Sequence, residues 1–308
     1  MSKKRNFVLF GLISAVLGGS VIAASRLYDL SVVPSQKTPE EIDKDPMDSV
    51  SREWFNKIEG KEDVYARSID DLNLHATYIR AKEESHKYAI CIHGIRSNGE
   101  FMSFFGKHYH EMGINVLLPD LRGFGKSDGN YIGYGYFDRL DIIEWIYWII
   151  KKDPDAHILL HGSSMGAATT LMTTGEHLPS QVIMAVSDSS YSTLSKEFAD
   201  VYKKNIGGWM PTGLALFIIK ILVKLRCGYD IDKVNVLDAV ARSKTPTLFI
   251  HGDEDTVIDP QMCAHLYEKC AAPKQYCLIL GSDHVQGAIT DPDKYWKKVE
   301  SLMEKTSF

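Results

Sequence analysis

Ser164 sits in Gly162-Ser163-Ser164-Met165-Gly166, directly after the apolar run Ile158-Leu159-Leu160 and before Ala167 and Ala168. A strand, a tight turn and a helix are the setting in which G-x-S-x-G lifts a serine hydroxyl clear of a sheet edge. The glycines let neighbouring backbone approach, and the helix N-terminus favours developing negative charge. These features mark Ser164 as a candidate nucleophile. A serine hydroxyl is weak until a base takes its proton. His284, in Gly281-Ser282-Asp283-His284 after the last apolar run, is the candidate base. An imidazole in that role needs a carboxylate to hold its tautomer and to stabilise the imidazolium. The segment His251-Gly252-Asp253-Glu254-Asp255 supplies three carboxylates. Asp255, deeper in the loop and so able to reach further across a sheet edge, is the first choice. Asp253 comes next, and Asp188, after Val186, stands as an outside candidate.

An acyl-transfer site also needs two backbone N–H donors for the oxyanion. Met165, the residue after the nucleophile, supplies the natural first donor. The second is expected from the loop His93 to Gly99, with Ile95 the best candidate. Three apolar runs end in His-Gly: His93-Gly94, His161-Gly162 and His251-Gly252. These histidines read as strand-end residues that position loops. The five cysteines include no CxxC pair, and no Cys/His cluster has zinc-ligand spacing. Cys91 and Cys277 fall within apolar runs and read as small buried hydrophobes. A disulfide among Cys263, Cys270 and Cys277 stays open. The chemistry asks for no metal or organic cofactor.

Elements must hold these groups together. Unbroken apolar runs at Tyr88–Ile92, Val116–Leu118, Ile158–Leu160, Val182–Val186, Thr247–Ile250 and Tyr276–Leu280 predict strands covered on both faces. Longer amphipathic stretches separate them, among them Asp138 to Lys152 and Met165 to His177. Alternating strand and helix predicts an α/β domain with a mostly parallel central sheet flanked by helices. In such a sheet, function gathers at the carboxyl ends of the strands. A length of 308 residues suits one such domain with small additions, and a net charge of −5 carries no electrostatic footprint for nucleic acid.

The N-terminal part reads differently. Lys3, Lys4 and Arg5 precede an uncharged apolar stretch from Phe7 to Ala24. Residues 1–30 are therefore expected to be a membrane anchor or a signal segment. The basic cluster favours a single-pass orientation at the cell membrane with the C-terminal domain extracytoplasmic. Cleavage near Ala23-Ala24-Ser25 would release it as a secreted protein instead. Residues 31–55, with Pro34, Pro39 and Pro46, read as a linker, and the catalytic domain is expected over 56–308. An insertion at about 190–240 reads as a helical lid. Its apolar stretch from Trp209 to Leu225 is broken by Pro211, Gly213, Lys220 and Lys224, so it makes a poor membrane span. It reads either as a buried lid helix or as an acyl-chain pocket or membrane-facing lid.

From about Asp71 onward the chain resembles the α/β-hydrolase superfamily, in its bacterial esterase, lipase and serine-peptidase-like branch. Five blocks carry the resemblance in order: HGIRSNGE (93–100), DLRGFGKSDG (120–129), HGSSMGAATT (161–170), HGDEDTVID (251–259) and GSDH (281–284). The resemblance implies the α/β-hydrolase fold with a lid insertion, Asp255 as the acid, and Ile95 and Met165 as oxyanion donors. It gives Asp120 and Arg122 no catalytic role. The expected function is a serine hydrolase that cleaves a small-molecule or lipid-like carboxylic ester through an acyl-enzyme. A peptidase, thioesterase or acyltransferase on the same residues stays open, as does a non-catalytic surface protein.

Overall fold

The computed structural model describes residues 22–37, 41, 46–206 and 211–308. The apolar stretch beginning at Phe7 lies outside the described residues as far as residue 21, and so do residues 207–210 of the insertion. Among the described residues no helix is long and apolar enough to cross a membrane. The chain divides into two compact units. The larger covers Pro34–Thr193 and Val234–Phe308; the described residues of the smaller fall in 22–33 and 194–233.

The larger unit is built on one eight-stranded sheet: β1 (Lys61–Arg67), β2 (Asn73–Ile79), β3 (Lys87–Ile92), β4 (Asn115–Pro119), β5 (His157–Ser163), β6 (Val182–Asp188), β7 (Thr247–Gly252) and β8 (Lys274–Ile279). Their spatial order is β1-β2-β4-β3-β5-β6-β7-β8. The β1–β2 and β2–β4 pairs are antiparallel, and every pair from β4–β3 to β7–β8 is parallel. Of the strands expected to be covered on both faces, β4 and β7 are buried along their whole length, whereas the edge strand β8 buries only Cys277 and Ile279 and leaves Leu280 exposed just past its end. β1 lies at the edge with Lys61, Glu62, Asp63 and Arg67, charges that discourage another chain from adding to the sheet.

Side chains alternate across the sheet with period two. Ala89, Cys91, Val116, Leu118, Leu159, Met184, Val186, Leu248 and Ile250 join one core with Phe105 and Tyr109 of helix Ser103–Glu111 and with Tyr295, Val299 and Leu302 of helix Pro292–Thr306. The last helix starts sharply. Pro292 stands in its first turn, and the Asp291 side chain caps the Lys294 N–H at 3.1 Å. Helix Asp138–Lys152 meets the opposite face, where Trp148 packs edge-on against Tyr78. It buries Ile142, Trp145, Ile146 and Ile149, each worth roughly 1.5–3 kcal/mol when fully buried. Asp138 and Asp141 in its first turn and Lys151 and Lys152 in its last suit the helix dipole.

Composition assigns residues 31–55 to a linker, yet Pro46–Lys57 is a helix. Met47 is part of the sheet core, and Trp54, Phe55 and Ile58 pack against it. This apolar face outweighs the charges and prolines around it, so packed structure begins ahead of residue 56. In the smaller unit, residues 22–32 are helical, and helices Leu194–Ile206 and Thr212–Cys227 follow in the insertion. The Tyr28 hydroxyl lies 3.2 Å from Cys227 Sγ, and the Arg226 guanidinium stacks over the Tyr28 ring. All five cysteines are buried free thiols.

Candidate active site

β5 ends at Ser163 and helix Met165–Thr174 begins two residues later, which leaves Ser164 alone to make the turn. It does so at φ 55° and ψ −119°, strained backbone for a residue with a side chain. Two glycines make the turn feasible. A Cβ on Gly162 would lie 2.1 Å from the Gly166 carbonyl oxygen, and one on Gly166 would lie 2.0 Å from the Ile92 carbonyl oxygen. The Ser164 N–H donates to the Asp188 carbonyl at 2.8 Å, tying the turn to the end of β6.

Three side chains distant in sequence converge here. His284 Nε2 is 2.9 Å from Ser164 Oγ, and His284 Nδ1 is 2.7 Å from Asp255 Oδ2. With the Nδ1 proton donated to the carboxylate, Nε2 is left to accept the serine proton, which is the arrangement a general base needs. Burial alone would raise the Asp255 pKa, but hydrogen bonds from His251 and His284 outweigh it and hold the carboxyl well below its ordinary value. Its other oxygen accepts the backbone N–H groups of Val257 and Ile258, both at 2.8 Å. Asp255 therefore stays ionised opposite the imidazole.

The alternative carboxylates are occupied elsewhere. Asp253 accepts the Gly281 N–H at 2.7 Å, and Asp283 accepts the Thr256 and His284 N–H groups. Asp188 accepts the Tyr295 hydroxyl at 2.8 Å and the Ser189 hydroxyl at 3.0 Å. Ile95 and Ser164 line a common cavity, and Met165 opens the helix, whose first N–H groups have no partner one turn back. The cavity measures about 210 Å³. Met47, Ile95, Phe101, Met102, Phe105 and Val285 supply its apolar wall beside Ser164 and His284.

The strand-end histidines each hold a loop. His93 Nδ1–H donates to the Gly94 carbonyl at 2.7 Å, and its Nε2 accepts the Leu121 N–H at 2.9 Å. Burial lowers the His161 pKa to about 3, so the ring is neutral and bridges two tyrosines. Tyr109 OH donates to His161 Nδ1 at 2.7 Å, and His161 Nε2–H donates to the Tyr295 oxygen at 3.1 Å. Tyr295 then donates to Asp188, so a buried chain runs from helix Ser103–Glu111 to the strand end that holds the Ser164 turn. His251 Nε2–H donates to the Ile258 carbonyl at 3.2 Å, holding the loop after β7, and also lies 3.0 Å from Asp255 Oδ2, a second imidazole beside the oxygen that His284 uses. The only sequence signal for this contact is the four-residue spacing to Asp255. Among the described residues no group of three His, Cys, Asp or Glu is placed to hold a metal ion.

Asp120 and Arg122, given no catalytic role from the sequence, sit in structural networks. Arg122 is buried and bridges Asp70 and Asp141. Asp120 accepts the Gly99 and Lys126 N–H groups, both at 2.8 Å, and His75 Nδ1–H at 2.7 Å. It thereby anchors the loop that carries Ile95.

The eight-stranded sheet with a strained serine between β5 and the following helix defines the α/β-hydrolase fold. A family model described as the alpha/beta hydrolase fold matches residues 90–227. The chain is 24% identical over 305 residues to the uncharacterized protein YqkD of Bacillus subtilis, covering 98% of this chain and 97% of that one. It is also 24% identical over 264 residues to the alpha/beta hydrolase domain-containing protein WAV2 of Arabidopsis thaliana, 79% of each. Among solved structures, an esterase of Pyrococcus furiosus superposes with a TM-score of 0.64 at 23% identity, over 89% of this chain and 96% of that one.

Proposed function

We propose that the protein is a serine hydrolase that cleaves carboxylic esters through an acyl-enzyme. The observation that carries the reading is the unbroken relay from Ser164 Oγ through His284 to Asp255, with separations of 2.9 and 2.7 Å. His284 takes the Ser164 proton as the oxygen attacks the ester carbonyl. Charge gathers on the carbonyl oxygen, where the N–H groups of Ile95 and Met165 stabilise it, each donor worth about 2.7–4 kcal/mol. His284⁺ then protonates the leaving alcohol as the tetrahedral intermediate collapses. Water, deprotonated by the same imidazole, attacks the acyl-enzyme and releases the acid with Ser164 restored. Asp255 keeps the proton of Nδ1 in place and balances the imidazolium charge in both halves.

The apolar wall suits an acyl group, and a cavity of about 210 Å³ suits a short one. Sites for drug-sized ligands run to about 300–1,000 Å³. The esterase likeness in fold is consistent with this but carries no substrate. We further propose that the apolar N-terminal stretch holds the enzyme at the cell membrane with the larger unit outside, a reading supported by the Lys3-Lys4-Arg5 cluster ahead of it.

A p-nitrophenyl ester series from acetate to palmitate tests the reaction. Turnover highest on the short esters and abolished by Ser164→Ala is the expected result. No ester turnover in a folded protein would overturn it.

A further inference from the structure

Helix Thr212–Cys227 is apolar on two faces, and only one of them is covered. Ala215, Ile219, Val223 and Cys227, spaced every four residues, are buried. On the other side Leu214 (43% exposed), Phe217 (61%), Ile221 (43%) and Leu225 (78%) repeat at three- and four-residue intervals and face solvent. They form a stripe about 16 Å long, at 1.5 Å per residue. The helix of residues 22–32, joined to this one through Tyr28, Arg226 and Cys227, adds exposed Ile22 and Leu30, with Val33 just beyond its end. Single exposed hydrophobes are ordinary, but a row on one helix face marks an interaction surface.

Charge says what kind of partner fits. The described residues of the smaller unit, 22–33 and 194–233, contain 8 lysines and arginines against 5 aspartates and glutamates, +3. The larger unit, residues 34–193 and 234–308, has 24 against 35, −11, so the smaller unit is basic and the larger acidic. Lys224 lies exposed beside Leu225, and exposed Lys203 and Lys204 close helix Leu194–Ile206. An apolar helical row flanked by cations is the pattern that lies in the interface of an anionic bilayer. Lysine stems extend along apolar surface while their ammonium groups reach the headgroups.

We infer that the smaller unit docks on an anionic lipid surface through Leu214, Phe217, Ile221 and Leu225, which enter the headgroup–acyl boundary while the neighbouring lysines meet lipid phosphates. The contact is parallel to the membrane plane and separate from any spanning by the N-terminal stretch. It holds whether or not the protein is an esterase, because no part of it uses Ser164, Asp255 or His284.

The test places an environment-sensitive nitrobenzoxadiazole label on the full chain at Phe217→Cys, Leu225→Cys or, as a water-facing control, Tyr147→Cys. The five native thiols are buried, which directs the label to the introduced cysteine. Each protein is reconstituted into vesicles of phosphatidylcholine alone or with phosphatidylglycerol. Blue-shifted emission at 217 and 225, quenched by nitroxide lipid and stronger with phosphatidylglycerol, with position 147 unchanged, is the expected result. Water-like emission at 217 and 225 in both vesicle types overturns the inference. So does an equal shift in both lipids, which removes the anionic requirement. A concentration-dependent shift without vesicles also overturns it, and assigns the stripe to a second copy of the chain.

Discussion

Replacing Asp255 with asparagine changes one oxygen to an NH₂ and leaves the volume almost untouched, so its effect isolates the electrostatics of the relay. Asp255 Oδ1 is held by the Val257 and Ile258 N–H groups, while Oδ2 takes the Nδ1–H of His284 at 2.7 Å and lies 3.0 Å from His251 Nε2, whose N–H meets the Ile258 carbonyl at 3.2 Å. An asparagine keeping its oxygen on the two backbone donors must turn its NH₂ toward both imidazoles. His284 then accepts at Nδ1 and carries its proton on Nε2, where the Ser164 hydroxyl needs an acceptor. A wrong tautomer in a serine–histidine–aspartate relay costs about 10⁴ in kcat, or about 5.4 kcal/mol of barrier. Asp253→Asn, which disturbs only a bond from the Gly281 N–H, should change kcat by less than about tenfold, in keeping with one ordinary hydrogen bond of about 0.5–1.5 kcal/mol. Steady-state hydrolysis of p-nitrophenyl butyrate by both variants, with circular dichroism to check folding, measures the contrast. A folded Asp255→Asn variant within tenfold of the parent, or a larger loss in Asp253→Asn, would refute the relay as described.

Three further outcomes follow from other parts of the structure. His251→Phe removes the N–H donor that meets the Ile258 carbonyl at 3.2 Å and lies 3.0 Å from Asp255 Oδ2, so urea unfolding should show a loss of about 1–3 kcal/mol; His251→Gln, which keeps a donor, should recover most of it, and unchanged stability in the phenylalanine variant would contradict the contact. Gly166→Ala places a methyl group 2.0 Å from the Ile92 carbonyl, where only backbone movement relieves it, and should cost about 3 kcal/mol or more, whereas Gly213→Ala meets nothing within 4 Å and should leave the melting temperature unchanged or higher. Burial pulls the His75 pKa down, but Asp120 and Asp63 outweigh it and raise the pKa above 6.5; its contribution to stability is thus full below about pH 6.5 and lost as pH rises through the folded value, so His75→Asn should destabilise more at pH 5.5 than at pH 9, and a pH-independent difference would exclude a charged His75.

Ser164 is legible in the sequence because its signal is local: the strand, the turn glycines and the small-residue helix are contiguous. His284 is legible for the same reason, as a histidine just past an apolar run. The choice between Asp253 and Asp255 depends on how the loop after β7 turns, which spacing alone leaves open. The alternation of apolar runs conveys a parallel sheet, but the order of its strands depends on crossovers between distant segments. The chain from Tyr109 through His161 and Tyr295 to Asp188 joins residues up to 186 positions apart, so neither motif nor periodicity announces it. Helix Pro46–Lys57 illustrates the reverse: the prolines and charges of the surrounding segment suggest a linker, while the spacing of Met47, Trp54 and Phe55 holds the packing signal. Helix Thr212–Cys227 has apolar residues all round, and only coordinates distinguish the covered face from the exposed one.

The relay's central claim is that Ser164 alone carries the acyl group during turnover. Intact-protein and peptide mass spectrometry after reaction with a fluorophosphonate tests it most directly. The account predicts one adduct per chain, on the peptide bearing Ser164, absent in Ser164→Ala and slowed in His284→Ala. A single adduct on another residue, or labelling that persists at the same rate in the folded Ser164→Ala variant, would contradict it.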